Sequence, residues 1–391
     1  MIKTTLKLTT CLVASALFAG AAFAADTYGP FPVTVKGYEG SKTNSVSYSG
    51  QIARHVLADS LKKLAAKGNG GSNAAELEAQ MLAYFNGSDG DLPVIAPAGK
   101  DGFAIKQTTL NEISKGKNIA GKFYDGAMPA WPGDMTGKEV LLHMISKAAQ
   151  ADQGFDPETG YDYAQLISKF AMGAVFYNQV VDGYLDEYLG PDKKPNDKPY
   201  KEGAAYTGKE HAWDEAFGYF GTPAHTLTLT PKQVYEIAKM GSKSKKPEDA
   251  LAYADYNKDG KVDLKTEMTF GPAYYAAGFD KSTAGKENET SYLHTITRAF
   301  LDGRKLLASA NGEKLSDAQR DNLVGYADVV GDNWEKVFAE AVFKYAGSVY
   351  KDMGKLQTIM DANGDTSKEL KNYIKHWGEL KGFALALQTG K

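Results

Sequence analysis

The chain has 391 residues, with 45 Lys and Arg against 48 Asp and Glu, and a single cysteine, Cys11. So mild an acidic balance, with no dense basic stretch, excludes a nucleic-acid partner held through phosphate charge. One cysteine excludes a disulfide framework and a thiolate metal site, and the length suits one large helical domain or two lobes.

Residues 1–24 read as a secretory signal peptide: Lys3 and Lys7, the apolar run LVASALFAGAAFA, and the small-x-small site Ala22-Phe23-Ala24. The run is shorter than the ~20 apolar residues a membrane helix needs, and no later stretch approaches that length. The expectation is an exported, periplasmic chain with no membrane span once the leader is gone. Losing Lys3 and Lys7 leaves 43 basic against 48 acidic residues, about −5. Cys11 leaves with the leader, so no cysteine nucleophile remains.

Residues 25–102 form an N-terminal extension with helices, and 103–391 the main helical domain, with lobes expected at 103–221 and 229–391. YGPFPVTV, near the start, offers rings for a docking face. In SGQIARHVLADSLKKLAAKG, Ile52, Val56, Leu57, Leu61 and Leu64 share one stripe, with Ser49 as a cap and Gly68 as a stop. Similar stripes predict helices over 74–85, 107–121, 136–150, 161–189, 205–220, 231–240, 289–309, 316–352 and 366–388. Apolar residues surround much of 161–189, which places that helix centrally. The polar stretches 190–203 and 241–250 read as surface loops. No alternation is long enough for a sheet, so the fold class is all-α: a large helical bundle with little or no sheet.

EHAWDEAFGYFG, 210–221, is dense in acids and aromatics. At about 100° per residue, Trp213, Ala216, Phe217 and Phe220 make a core face, while His211, Asp214, Glu215 and Gly218 fall opposite. His211 and Glu215 are one turn apart, and Gly218 lets a neighbouring helix or a ligand approach. A solvated acidic face and a polar pocket between helices both fit the spacing.

ADYNKDGKVDLKTEM, 254–268, carries the most specific motif. Asp255, Asn257 and Asp259 take positions 1, 3 and 5 of an EF-hand-like loop, with Gly260 at the turn, Lys261 offering its carbonyl at 7 and Asp263 at 9. Position 12 is Thr266, and the closing acid, Glu267, comes one place late. Calcium is the expected ion; an Asx-rich turn without metal is the alternative. MDANGDTSKEL, 360–370, lacks the turn glycine and reads as a polar turn before the final helix. GPAYYAAGF, 271–279, offers further rings for docking, although most such aromatics, in both stretches, are core in a helical protein.

In KHWGELKGFALALQ, 375–388, His376, Glu379, Leu380, Phe383 and Leu387 share one side of a helix. A carboxylate among Leu and Phe needs a partner: His376, an arginine such as Arg298 or Arg304, or a bound cation.

The stretches LISKFAMGAVFYNQVV, EHAWDEAFGYFG, DYNKDGKVDLKTE, RAFLDGRKLL and HWGELKGFALALQ resemble a family of exported bacterial proteins known only as a domain of unknown function. More distantly the chain resembles the imelysin group, helical periplasmic or outer-membrane-associated proteins with two bundle-like halves, linked to iron acquisition. That group carries Gly-x-His-x-x-Glu. Here GKEHAWDE keeps an acid, Asp214, three residues after His211, but Gly208 lies three residues before it, and Glu215 one place beyond. The resemblance implies a non-catalytic protein of a metal-uptake system. Iron or an iron complex would be held by His211, Asp214 and Glu215, joined by His376 and Glu379 if the helices converge, with an outer-membrane receptor as partner. A metallopeptidase is the enzyme alternative, although His-Glu-x-x-His is missing. A calcium-stiffened adhesion or scaffold protein is the third reading.

Overall fold

Most helix starts are written locally. Thr136, Thr207, Thr230 and Ser316 each precede a Glu or Gln by three residues, and all four form reciprocal capping boxes. The computed structural model describes residues 26–88, 90–244 and 246–390, so the stretch 1–24 read as a signal peptide, with Cys11, lies outside the described residues. In chain order the helices are α1 Ser49–Ala65, α2 Ala74–Asn86, α3 Leu110–Ile113, α4 Gly137–Gln150, α5 Tyr163–Ala171 and α6 Gly208–Phe220. Then come α7 Pro231–Ala238, α8 Pro247–Ala254, α9 Gly271–Thr283, α10 Tyr292–Ser309, α11 Asp317–Asp361 and α12 Ser367–Leu387. The one sheet among the described residues is a hairpin of β1 Phe155–Asp156 and β2 Tyr161–Asp162, antiparallel with Phe155 opposite Asp162. The fold is all-α, as helical periodicity predicts. Among the described residues no helix is long and apolar enough to cross a membrane.

Several boundaries differ from the sequence reading. The helix expected over 161–189 is α5 followed by π-helical segments, Met172–Tyr177 and Gln179–Tyr184. At Gly173 a Cβ would stand 2.4 Å from Ala386 Cα, so glycine here lets α12 lie directly on this backbone. The helix expected over 107–121 shrinks to α3 and a turn at Ala120–Lys122. The 241–250 stretch, read as loop, contains the start of α8. Helix α11 runs unbroken through Gly347 and Gly354. Each glycine costs ~1 kcal/mol against alanine, a small penalty beside the packing of Leu323, Val330, Trp334, Val337 and Phe338 on its buried face.

One contiguous core runs from Tyr28 and Phe31 to Phe383 and Ala386 and joins both expected lobes. At its centre Trp213 and Phe217 meet Phe300 edge-on, and Phe220 meets Trp334. Helix α10 approaches closely at Gly303, where a Cβ would stand 2.1 Å from Trp213 Cζ2. Of the two readings of YGPFPVTV and GPAYYAAGF, docking rings or core, the structure shows core. Tyr28 and Phe31 are 3% and 1% exposed, and Tyr275 and Phe279 are 5% and 8% exposed. Tyr28 stacks on Phe217 at 3.6 Å between centroids, because the extended 26–48 segment crosses α6 and closes the core there.

Candidate functional site

Helix α6 begins with Thr207, whose N–H donates to Glu210 Oε2 at 2.9 Å while Glu210 N donates back to Thr207 Oγ1 at 3.1 Å. The other Glu210 oxygen accepts from Arg304 Nη1 at 2.8 Å and from Thr34 Oγ1 at 3.0 Å. One turn later, Asp214 Oδ1 accepts from Arg304 Nε at 2.9 Å and Tyr28 Oη at 2.8 Å, and Oδ2 accepts from Ser47 N at 3.0 Å. Arg304 Nη2 donates to Ser45 Oγ at 2.7 Å, and the guanidinium lies over the Phe31 ring. Glu210, Asp214 and Arg304 are all fully buried. Burial pushes the Asp214 carboxyl up to about 6, against the pull of Arg304, Tyr28 and Ser47 toward the ionised form. Burial opposes the Arg304 charge too, but Asp214 and Glu210 outweigh it and hold the guanidinium charged. Every carboxylate oxygen of the pair has a donor, so this network is closed.

Sequence reading assigned neither Glu210 nor the 26–48 donors to this network. Arg304, one of the candidate partners of Glu379, serves α6 instead. The available signal was its place in the apolar stripe of α10, with Leu293, Ile296, Phe300 and Leu307, where a guanidinium must find carboxylates. Arg298 lies at the surface, paired with Asp26 at 2.7 Å.

His211 and Glu215 lie apart from Asp214. His211 Nε2 stands 3.6 Å from Glu215 Oε1, which accepts from Gln51 Nε2 at 2.6 Å. The imidazole stacks on Tyr206 at 4.5 Å and tilts against Tyr200 at 4.3 Å. Burial lowers its pKa, with Glu215 pulling the other way. At Gly218 a Cβ would meet Tyr48 Cβ at 2.8 Å and Gln51 Cβ at 2.9 Å, so the close neighbour is the start of α1. At Gly208 it would meet the Lys194 carbonyl carbon at 2.8 Å. The polar side of α6 is therefore not a solvated face, and its three expected ligands do not share one pocket.

The calcium-type loop follows α8. Lys258 and Gly260 take φ of 60° and 83°, which turns the chain sharply. Asp255 accepts from Asp259 N at 3.0 Å and Gly260 N at 2.8 Å, Asn257 Oδ1 from Asp259 N at 2.9 Å, and Asp259 Oδ1 from Lys261 N at 3.0 Å. Lys261 itself is exposed. Glu267 reaches back across the loop: Oε1 accepts from Tyr256 N at 3.1 Å and Asn257 N at 3.2 Å, and Oε2 from Asp263 N at 2.8 Å. Burial raises the Glu267 pKa; backbone donors oppose this, and the charges of Asp255 and Asp263 add to it. Residues 104–107 grip the far side. Val262 N donates to Ala104 O at 2.8 Å, Lys106 N to Val262 O at 3.0 Å, and Gln107 Nε2 to Asp263 Oδ1 at 2.8 Å. Lys106 Nζ lies 2.8 Å from Asp259 Oδ2. Among the described residues no three His, Cys, Asp or Glu side chains stand converged as a metal cage.

The second cluster also divides. His376 Nδ1 pairs with Asp352 Oδ2 on α11 at 2.6 Å. Glu379 Oε1 instead accepts from Tyr345 Oη at 3.0 Å and lies 3.6 Å from Lys169 Nζ on α5. Tyr345 shares a hydrogen bond with Tyr275 at 3.0 Å, and Lys169 donates to Gln165 Oε1 at 3.1 Å. Burial brings the Lys169 pKa down to about 7, helped by Lys62 and opposed by Glu379. These groups border a cavity of about 220 Å³.

Residues 144–319 match the model of a family described as a domain of unknown function, DUF4856. Nothing among the curated proteins or the solved structures matches the chain. The matched stretch contains α5, α6, the 255–267 loop and α10, hence Lys169, Glu210, Asp214, Arg304 and the loop acids; the donors of 26–48 and Glu379 lie outside it. Over that stretch the chain is similar to an uncharacterised domain family.

Proposed function

We propose that the chain is an exported, non-catalytic binding protein whose 255–267 loop takes one calcium ion. The observation that carries this reading is the reach of Glu267 back across the glycine turn to the backbone of Asn257 and Asp263. Hard oxygen donors at alternate positions along such a loop suit calcium. The late closing acid is accommodated, since Glu267 already lies across the loop from Asp263 and Asn257. Bound calcium would displace Lys106 as the counter-charge of Asp259 and fasten the loop to 104–107. Export rests on the leader's sequence.

An iron-carrying role of imelysin type draws on fewer donors. Asp214 is engaged by Arg304 and His376 by Asp352, which leaves His211 with Glu215, against the roughly four protein and solvent donors a transition metal usually gathers. Calcium is therefore the preferred ion. Calorimetric titration of chelator-treated protein with calcium chloride should give one site per chain with Kd of about 10⁻⁵ to 10⁻³ M, abolished in Asp259→Ala and in Glu267→Gln. A flat titration of the wild-type chain at millimolar calcium would refute the proposal.

A further inference from the structure

The cavity beside Glu379 has a chemistry that the calcium loop does not use. Its wall brings Lys62 of α1, Lys169 of α5 and Lys239 after α7 together with Asp59 and Glu379, three cations to two acids. Lys62, half-buried, lies in the same wall as the buried Lys169. Two ammonium groups in one partly buried wall call for an anion near them. Glu379 meets that need only in part, because its Oε1 serves Tyr345 at 3.0 Å and stands 3.6 Å from Lys169. Thr269, 3% exposed, is in the same wall, and its hydroxyl has no hydrogen-bond partner. Buried hydroxyls are seldom left so. Phe270, Tyr274 and Met172 give the wall an apolar side. A volume of about 220 Å³ leaves room for a small organic acid.

We propose that this cavity binds a small organic monocarboxylate, its carboxylate between Lys62 and Lys169 and accepting from Thr269, its carbon skeleton against Phe270 and Tyr274. Lys169 is faced by Lys62 and Asp59 from α1, Asp162 and Gln165 from around the start of α5, Tyr275 from α9, Tyr345 from α11 and Glu379 from α12. A bound carboxylate adds negative charge there, so binding draws a proton onto Lys169 and weakens as pH rises above 7.

The test is thermal unfolding and calorimetry of the full mature chain with acetate, lactate and benzoate, using sodium chloride and inorganic phosphate for comparison. At least one carboxylate should raise Tm beyond the chloride effect and bind several-fold more weakly at pH 8.5 than at pH 7. Its affinity should fall by roughly tenfold or more in Lys169→Met and by about 3- to 10-fold in Thr269→Val. Thr269→Val keeps side-chain volume, so it decides the matter if Lys169→Met folds poorly. The proposal is overturned if no carboxylate exceeds chloride, if phosphate alone binds, or if neither variant weakens binding.

Discussion

Two groups of acids lie within the family-matching stretch, and they are neutralised in different ways. Glu210 and Asp214 on α6 share one buried guanidinium, with Tyr28, Thr34 and Ser47 filling the remaining lone pairs. The loop acids Asp255, Asp259, Asp263 and Glu267 instead cap their own backbone, and the side-chain cation beside them is Lys106, paired with Asp259 at the rim. The first arrangement is complete without any ligand; the second has charge left over for one. Glu379 stands between them, with a lysine, a tyrosine and a cavity beside it. Acid density in a sequence does not separate these cases. The identity of the counter-charge does, and arginine supplied from another helix closes a site that the same acids beside a lysine leave open.

The largest effect should come from breaking the closed network. Arg304→Met strands two buried carboxylates and should cost about 3–5 kcal/mol in denaturant unfolding. A loss below about 1 kcal/mol would mean that the network is wet or that the acids are protonated. Calcium should matter next. At a hundred times its Kd it should stabilise the chain by ~2.7 kcal/mol, seen as a higher Tm in calcium than in chelator, with no difference for Asp259→Ala.

The intermediate case gives a pH signature. Lys169 has a folded pKa of about 7 against an ordinary 10.5, so between those values the unfolded chain binds a proton that the folded chain does not. Stability should therefore rise with pH across that window, by up to ~1.4 kcal/mol per unit, and Lys169→Met should flatten the rise. The smallest effect belongs to Lys106→Ala. Losing so exposed a pair should leave stability nearly unchanged, yet removing the ammonium from Asp259 should tighten calcium binding by a few-fold in calorimetry. Weaker binding would show that Lys106 supports the loop rather than competing with the ion.

Much of this fold was legible because helical periodicity and capping are local. The stripe Trp213, Ala216, Phe217 and Phe220 is the core face it promised to be, and four capping boxes stand where Ser or Thr precedes Glu or Gln. What escaped was non-local. The 26–48 segment has no periodicity to announce that it covers α6, so Asp214 read as a companion of His211 when it belongs to Arg304. Helix α9 opens with Gly-Pro and is rich in rings, features shared by exposed docking loops and buried helix starts alike. Gly218 did mark a close approach, but that of α1 rather than of a ligand. The loop was readable to its ninth position, and only coordinates could place Glu267 across it.

The most direct test is elemental analysis of the chain after equilibrium dialysis against buffer holding free calcium well above its Kd together with micromolar iron and zinc, for wild type, His211→Ala and Asp259→Ala. About one calcium per chain, kept in His211→Ala and lost in Asp259→Ala, is the predicted result. Stoichiometric iron or zinc that disappears with His211, and no calcium, would contradict it.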